Sequence, residues 1–388
     1  MDENKLRFAT LASHAGNGQN QWQGGVYPSN SSSSALNQDG PNESHDSITT
    51  GNSSQKALEA RLAAIEGAKY ACAYASGCGV ACAVMSLLSS GDHLLTSQDI
   101  YGGTSRLINS FVSRMGVKVS YADFCDLKTI KTEINNDTKM IWIETPSNPL
   151  MKIVDIAGVV AVARTQPNII VVVDNTFLTP YFQRPLDLGA DISMYSISKY
   201  MNGHSDVIMG SVAVNDAALA EKLRVIQNSM GIIPSPFDCY LVRRSLTTLA
   251  LRLEQHQKNG LAVANWLKEH PDVIDVMHPG LHSHPQHELG RRQTTGHFGV
   301  LSFRHRGGWQ QTSALVSALR LYILAEGLGG YESMANLPCI MSHGSVPDDI
   351  KKKLGITENL IRLSTGIEDI SDIIADLDQA FKSAFGNQ

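Results

Sequence analysis

From Gln55 onward the chain is written in short apolar runs and helical stripes separated by polar turns. Ahead of that point, residues 1–56 are different. Pro28–Ser34 and Asn37–Ser44 are turn-rich and carry no apolar period, so they predict a polar arm without a core of its own. Leu58, Leu62 and Ile65 then fall on one helical face, and Gly67 stands where a helix would stop. Strands are expected over 69–74, 93–96, 117–121, 140–143, 169–173, 192–196 and 207–214. Helices lie between them, one through Val84, Leu87 and Leu88 and another starting at Thr104. Strands that alternate with helices predict an α/β domain built on a mostly parallel sheet. After residue 250 the texture changes, with a helix through Val263, Trp266 and Leu267 and strands at 273–277, 300–303 and 360–366. Helices at 311–321 and 372–385 complete a smaller α+β domain. The chain therefore divides into an arm (1–56), a large domain (57–250) and a C-terminal small domain (251–388).

Composition narrows the function. With 388 residues, 43% of them apolar, two domains can each bury a core. A net charge of −5 supplies no basic footprint for nucleic acid. No apolar run approaches the ~18 residues of a membrane span, and Met1–Arg7 holds no signal-peptide core. The six cysteines are scattered, with no CxxC pair. They read as buried thiols of a reducing, cytoplasmic compartment. Four histidines between His278 and His287 match no common zinc spacing, so they read as a surface loop rather than a metal site.

The chemistry gathers where strands end. In open α/β sheets ligands bind beyond the carboxyl ends of the strands, and Ser76-Gly77, Asn148, Asp174 and Lys199 all hold such positions. Lys199 follows a buried strand, where desolvation favours the neutral amine, a nucleophile able to form a Schiff base with a carbonyl. Ser196 and Ser198 beside it can bond a phosphate on the same carbonyl compound. Asp174, after a β-branched run, needs a cation, and a pyridinium nitrogen would serve. Gly77 and Cys78 open a helix whose free amides suit a phosphate. Tyr101 can stack on a ring, and Arg362 can fork a carboxylate. Together these residues describe a pyridoxal phosphate (PLP) site.

Longer runs then point to a family. Ala75-Ser-Gly77, Tyr101-Gly-Gly-Thr104, Trp142-Ile-Glu-Thr-Pro-Ser-Asn-Pro149, Val173-Asp-Asn-Thr-Phe177 and Tyr200-Met-Asn-Gly-His-Ser-Asp206 are among them, with Ser283–Leu289 and Ile361-Arg-Leu-Ser364 further on. With these, the chain resembles the Cys/Met-metabolism PLP enzymes, nearest their eukaryotic-type cystathionine γ-lyases. The resemblance implies an aspartate-aminotransferase-like (fold type I) large domain and a homotetramer of two dimers. It implies PLP held by Gly77, Cys78, Tyr101, Asn148, Asp174, Thr176, Ser196, Ser198 and Lys199, with Lys199 and Tyr101 catalytic. The amino-acid substrate would meet Arg362, Asn148, Glu326, Arg106 and Asp46. The activity implied is γ-elimination of L-cystathionine. Related γ-replacement or β- or γ-elimination of other substrates stays open as an alternative. So does a weakly loaded, non-catalytic role, because Ser47 and Thr49 stand where the family carries a phosphate-gripping tyrosine and arginine.

Overall fold

The computed structural model describes residues 6–16, 52–97, 99–344, 346 and 348–386. Seven strands make the larger sheet: β1 (Tyr70–Tyr74), β2 (His93–Ser97), β3 (Lys118–Ala122), β4 (Thr138–Glu144), β5 (Ile170–Asp174), β6 (Ile192–Ser196) and β7 (Gly210–Val214). They lie in the order β1-β7-β6-β5-β4-β2-β3. Only β7 runs against the rest, antiparallel to both β1 and β6. Successive strand residues point to opposite faces, and β1 shows the consequence. Ala71 and Ala73 pack with Leu58, Leu62 and Ile65, while Cys72 and Tyr74 pack with Val80 and Val84 on the other side. Both faces are therefore covered, as a mostly parallel sheet requires.

Leu58, Leu62 and Ile65 belong to the helix Ser53–Glu66 and are at most 3% exposed. Burying each such side chain is worth roughly 1.5–3 kcal/mol over leaving it in water. The Asn52 side chain caps this helix by accepting from the Gln55 N–H, and Gly67 ends it with φ 75°. That left-handed conformation costs glycine least. The last residue, Glu66, is buried and accepts the Tyr195 hydroxyl hydrogen; Ser193 and Asn175 in turn donate to the Tyr195 oxygen.

The second sheet has the order β10-β11-β12-β9-β8, from β8 (Val273–Met277), β9 (Val300–His305), β10 (Ile323–Leu324), β11 (Met334–Asn336) and β12 (Leu360–Ser364). Its core joins Leu301, Phe303, Ile361 and Leu363 to Val263 and Leu267 on one helix and Ile373, Leu377 and Phe381 on the closing helix Ile370–Phe385. The helix Leu249–Glu269 ties the two sheets together. Its Arg252 donates to the carbonyls of Tyr200, Met201 and Ser245.

Three expectations are corrected. Within the supposed polar arm, Phe8–His14 is helical and buries Leu11 and Ala12 against the core, because those two face the apolar side of the Ser53–Glu66 helix. The histidine segment is not a surface loop. His278, His284 and His287 are buried and donate to the carbonyls of Phe298, Met151 and Pro279. Burial lowers the pKa of His278 to about 3, so it stays neutral. Of the cysteines, only Cys72 and Cys239 are fully buried; Cys78 and Cys125 are exposed.

Candidate active site

A cavity of about 330 Å³ opens where the carboxyl ends of the larger sheet meet the second sheet. Its lining takes in Gly77, Cys78, Tyr101, Asn148, Asp174, Thr176, Ser196, Ser198, Lys199, Glu326 and Arg362. These residues come from strand ends and turns scattered along the chain, and strand order brings them together.

One end of the cavity is built for an anion. Ser76 caps the helix Gly77–Met85, its hydroxyl accepting the Gly79 N–H at 2.9 Å. The first amides of that helix are left free to bind an anion. A Cβ on Gly77 would lie 3.0 Å from the Ser196 side chain, so only glycine keeps this cradle open. The Ser198 hydroxyl faces the same cavity but is already engaged. It accepts the Met209 N–H at 2.9 Å and donates to the Met209 carbonyl at 3.2 Å.

The other end is built for a cation. Asp174, at the end of β5, accepts the Thr176 N–H at 3.0 Å and the Thr176 hydroxyl at 2.5 Å. The Thr176 oxygen accepts from the Ser196 N–H at 2.8 Å, which ties β6 to this turn. Burial raises the Asp174 carboxyl to about 6 despite these bonds. A positive group beside it would draw it back toward the anion. Between the two ends sits Lys199, which follows β6 through the turn Ser196–Gly203. Its pKa is lowered by burial first and then by the Arg362 charge, which leaves more of the amine neutral.

Arg362, in β12, is 1% exposed. Its Nη1 donates to Asn148 Oδ1 at 3.2 Å, and its Nη2 donates to the carbonyls of Glu326 and Gly327 at 2.9 and 2.8 Å. The Nε is buried without a partner among the described residues. The guanidinium is thus held in place with donor capacity to spare for a carboxylate. Tyr101 is half exposed at the mouth, and burial of the rest of the ring raises its pKa, so it remains a phenol at neutral pH. Phosphate-binding amides at one end, a carboxylate for a ring nitrogen at the other and an amine between them fit PLP.

Two expected residues stand apart. Arg106 lies on the exposed side of the helix Gly102–Leu107, outside the cavity lining. Asp46, with Ser47 and Thr49, lies outside the described residues. Sequence reasoning assigned no role to Glu144 or Ser342, both of which line the cavity. Glu144 sits at a strand end like Asp174, a signal that was available. Ser342 is in an irregular turn and offered none. Among the described residues, no helix is long and apolar enough to cross a membrane.

Comparison with known proteins agrees with this geometry. The model of the family described as Cys/Met metabolism PLP-dependent enzyme matches residues 9–382. A cystathionine gamma-lyase of Homo sapiens is 48% identical over 97% of this chain and 94% of its own length. One from Dictyostelium discoideum is 45% identical over 97% of this chain and 98% of its own. Among solved structures, metB from Corynebacterium glutamicum superposes with a TM-score of 0.95 at 39% identity, covering 98% of this chain and 99% of its own. The cystathionine gamma-lyase of Lactobacillus plantarum complexed with L-serine reaches a TM-score of 0.94 at 36% identity, with the same coverage.

Proposed function

Because the chain belongs to the Cys/Met metabolism PLP-dependent enzymes, we propose that it is a lyase that splits L-cystathionine by γ-elimination. With one water consumed, the products are cysteine, 2-oxobutanoate and ammonia. The observation that carries the reading is Lys199, Asp174 and Arg362 facing one cavity. The relatives, by their printed names, favour γ-elimination over the replacement, β-elimination and non-catalytic alternatives.

Lys199, Asp174, Gly77, Cys78 and Ser196 would hold PLP, which would supply an electron sink for charge developing at the substrate α-carbon. Arg362 binds the substrate α-carboxylate and Asn148 steadies that guanidinium. Lys199 Nζ, kept partly neutral by burial, takes the Cα proton. The Tyr101 hydroxyl, kept protonated, gives its proton to the departing sulfur. Phe177, Met194 and Leu328 line the cavity with apolar surface and keep water from the reacting atoms. Glu326 faces the distal part of the substrate. The assembly in this reading is a cytoplasmic homotetramer of two dimers, as the resemblance implies. Ile208, on the cavity wall and 70% exposed, is apolar surface that a partner subunit would cover.

The test is to purify the protein with PLP, dialyse it, record the absorbance of bound cofactor and add L-cystathionine while measuring 2-oxobutanoate. Wild type should stay yellow and form keto acid. Lys199→Ala should lose turnover by at least ~10³-fold, the scale of removing a proton-transfer and covalent group. Substantial activity in that variant would sink the assignment.

A further inference from the structure

Glu144 ends β4 as Asp174 ends β5, and the two are register partners in adjacent parallel strands. Both are buried and both line the cavity. Neighbouring strands lie about 4.8 Å apart, with register partners pointing to the same face. Two carboxylates so placed do not both ionise readily, so the pair retains a proton.

The neighbouring acids decide which carboxyl keeps it, because Glu144 faces both Asp174 and Asp99. Asp174 Oδ1 accepts twice from Thr176, and bonds to the charged form favour the anion. Glu144 accepts the main-chain N–H of Tyr101 at 2.7 Å, is also held by the Asn148 main chain, and makes no ion pair among the described residues. It also faces a third acid, Asp99, which lies beyond it toward a second cavity of about 170 Å³ that Glu144 helps to line. Asp99 Oδ2 accepts the Ser147 hydroxyl at 2.6 Å, and its buried Oδ1 has no partner among the described residues. Lys152, Lys353 and Asp123 line that second cavity, while Lys199 and Arg362 line the first. Burial pushes the Glu144 carboxyl well above the usual range, and Asp174 and Asp99 push it further.

We propose that Glu144 is a positioning residue: a neutral acid that leaves the negative charge on Asp174 for the cofactor's ring nitrogen and holds Tyr101 by its main chain. The inference rests on the assignment of Asp174 to that nitrogen. Glu144 does two things at once. It keeps a second negative charge away from Asp174, and it anchors the N-cap of the short helix that presents the Tyr101 ring.

The experiment uses PLP-loaded wild type, Glu144→Gln and Glu144→Leu. In the infrared difference spectrum of wild type minus Glu144→Gln at neutral pH, a protonated-carboxyl C=O band should appear. A difference containing carboxylate bands alone overturns the inference. Glu144→Leu leaves the Tyr101 N–H without its acceptor and should weaken PLP retention about tenfold or more. Glu144→Gln, which keeps an acceptor and adds no charge, should restore most of that loss. Equal loss in both variants also overturns the inference. Wild type that releases PLP on dialysis overturns the Asp174 assignment and this inference with it. Retained PLP without the acid band overturns the role of Glu144 alone.

Discussion

Replacing Glu66 with glutamine tests whether a buried acid ties the stability of this enzyme to pH. Glu66 closes the Ser53–Glu66 helix, is 1% exposed and receives the Tyr195 hydroxyl hydrogen. Burial raises its carboxyl from 4.5 to about 8. A pKa raised in the folded state means that the native protein binds more protons than the unfolded chain between those two values. Its contribution to stability is therefore complete below about pH 4.5, falls as pH rises toward 8, and is lost above it. The difference of 3.5 pK units, 8 minus 4.5, corresponds to about 5 kcal/mol across that window. For a chain of 388 residues the unfolding entropy is about 0.8 kcal/mol/K, so 5 kcal/mol is a shift of about 6 °C. Glutamine accepts the Tyr195 hydrogen but cannot ionise. Melting curves of PLP-loaded wild type and Glu66→Gln from pH 5 to 9 should therefore converge or cross, with wild type losing about 5 °C relative to the variant, because pH 5 already lies inside the window. A constant gap across the range would refute the reasoning.

Two further outcomes follow from the cavity. Cys78 is exposed beside the anion-binding amides. Iodoacetamide should label it, added PLP should slow that labelling, and the labelled protein should lose PLP retention, whereas Cys78→Ser should keep it. Arg362→Lys gives up the fork that bonds Asn148, Glu326 and Gly327. It should raise KM for L-cystathionine about ten- to a hundredfold while PLP retention changes less, since it forfeits one charge-assisted bond worth about 1.5–3 kcal/mol. Steady-state kinetics alongside a PLP titration separates the two effects.

Much of the larger sheet was legible because its strands are short, apolar and bounded by turns. β6 and β8 run from Ile192 to Ser196 and from Val273 to Met277, the ranges that their apolar pattern predicts. The strand β7 falls inside the predicted 207–214, but its reversed direction was not legible. Tyr70 pairs with Val214 across most of the domain, and no local period records such a register. β10 and β11 span two and three residues, too few to show alternation. In the cavity, Lys199 and Asp174 stood out because a charge at the end of an apolar strand is costly without a partner. Glu144 had the same signature, but its meaning depends on β4 lying beside β5, which strand order alone determines. The histidines misled for a related reason: the carbonyls of Phe298 and Met151 that hold them come from other parts of the fold.

The contacts around Lys199 also set a timetable. The turn that carries the lysine is fastened by Arg252, which donates to the Tyr200 carbonyl at 2.7 Å, and by the Gly299 N–H, which donates to the Tyr200 hydroxyl at 2.9 Å. The far wall of the cavity waits for Glu326 and Arg362. A ribosome making this chain from its first residue therefore delivers the reactive amine long before the groups that enclose it. While synthesis is under way, the nascent chain can pair the strands of its larger sheet, but it has no finished chamber for the coenzyme. A complete chamber around the amine therefore requires the chain through Arg362.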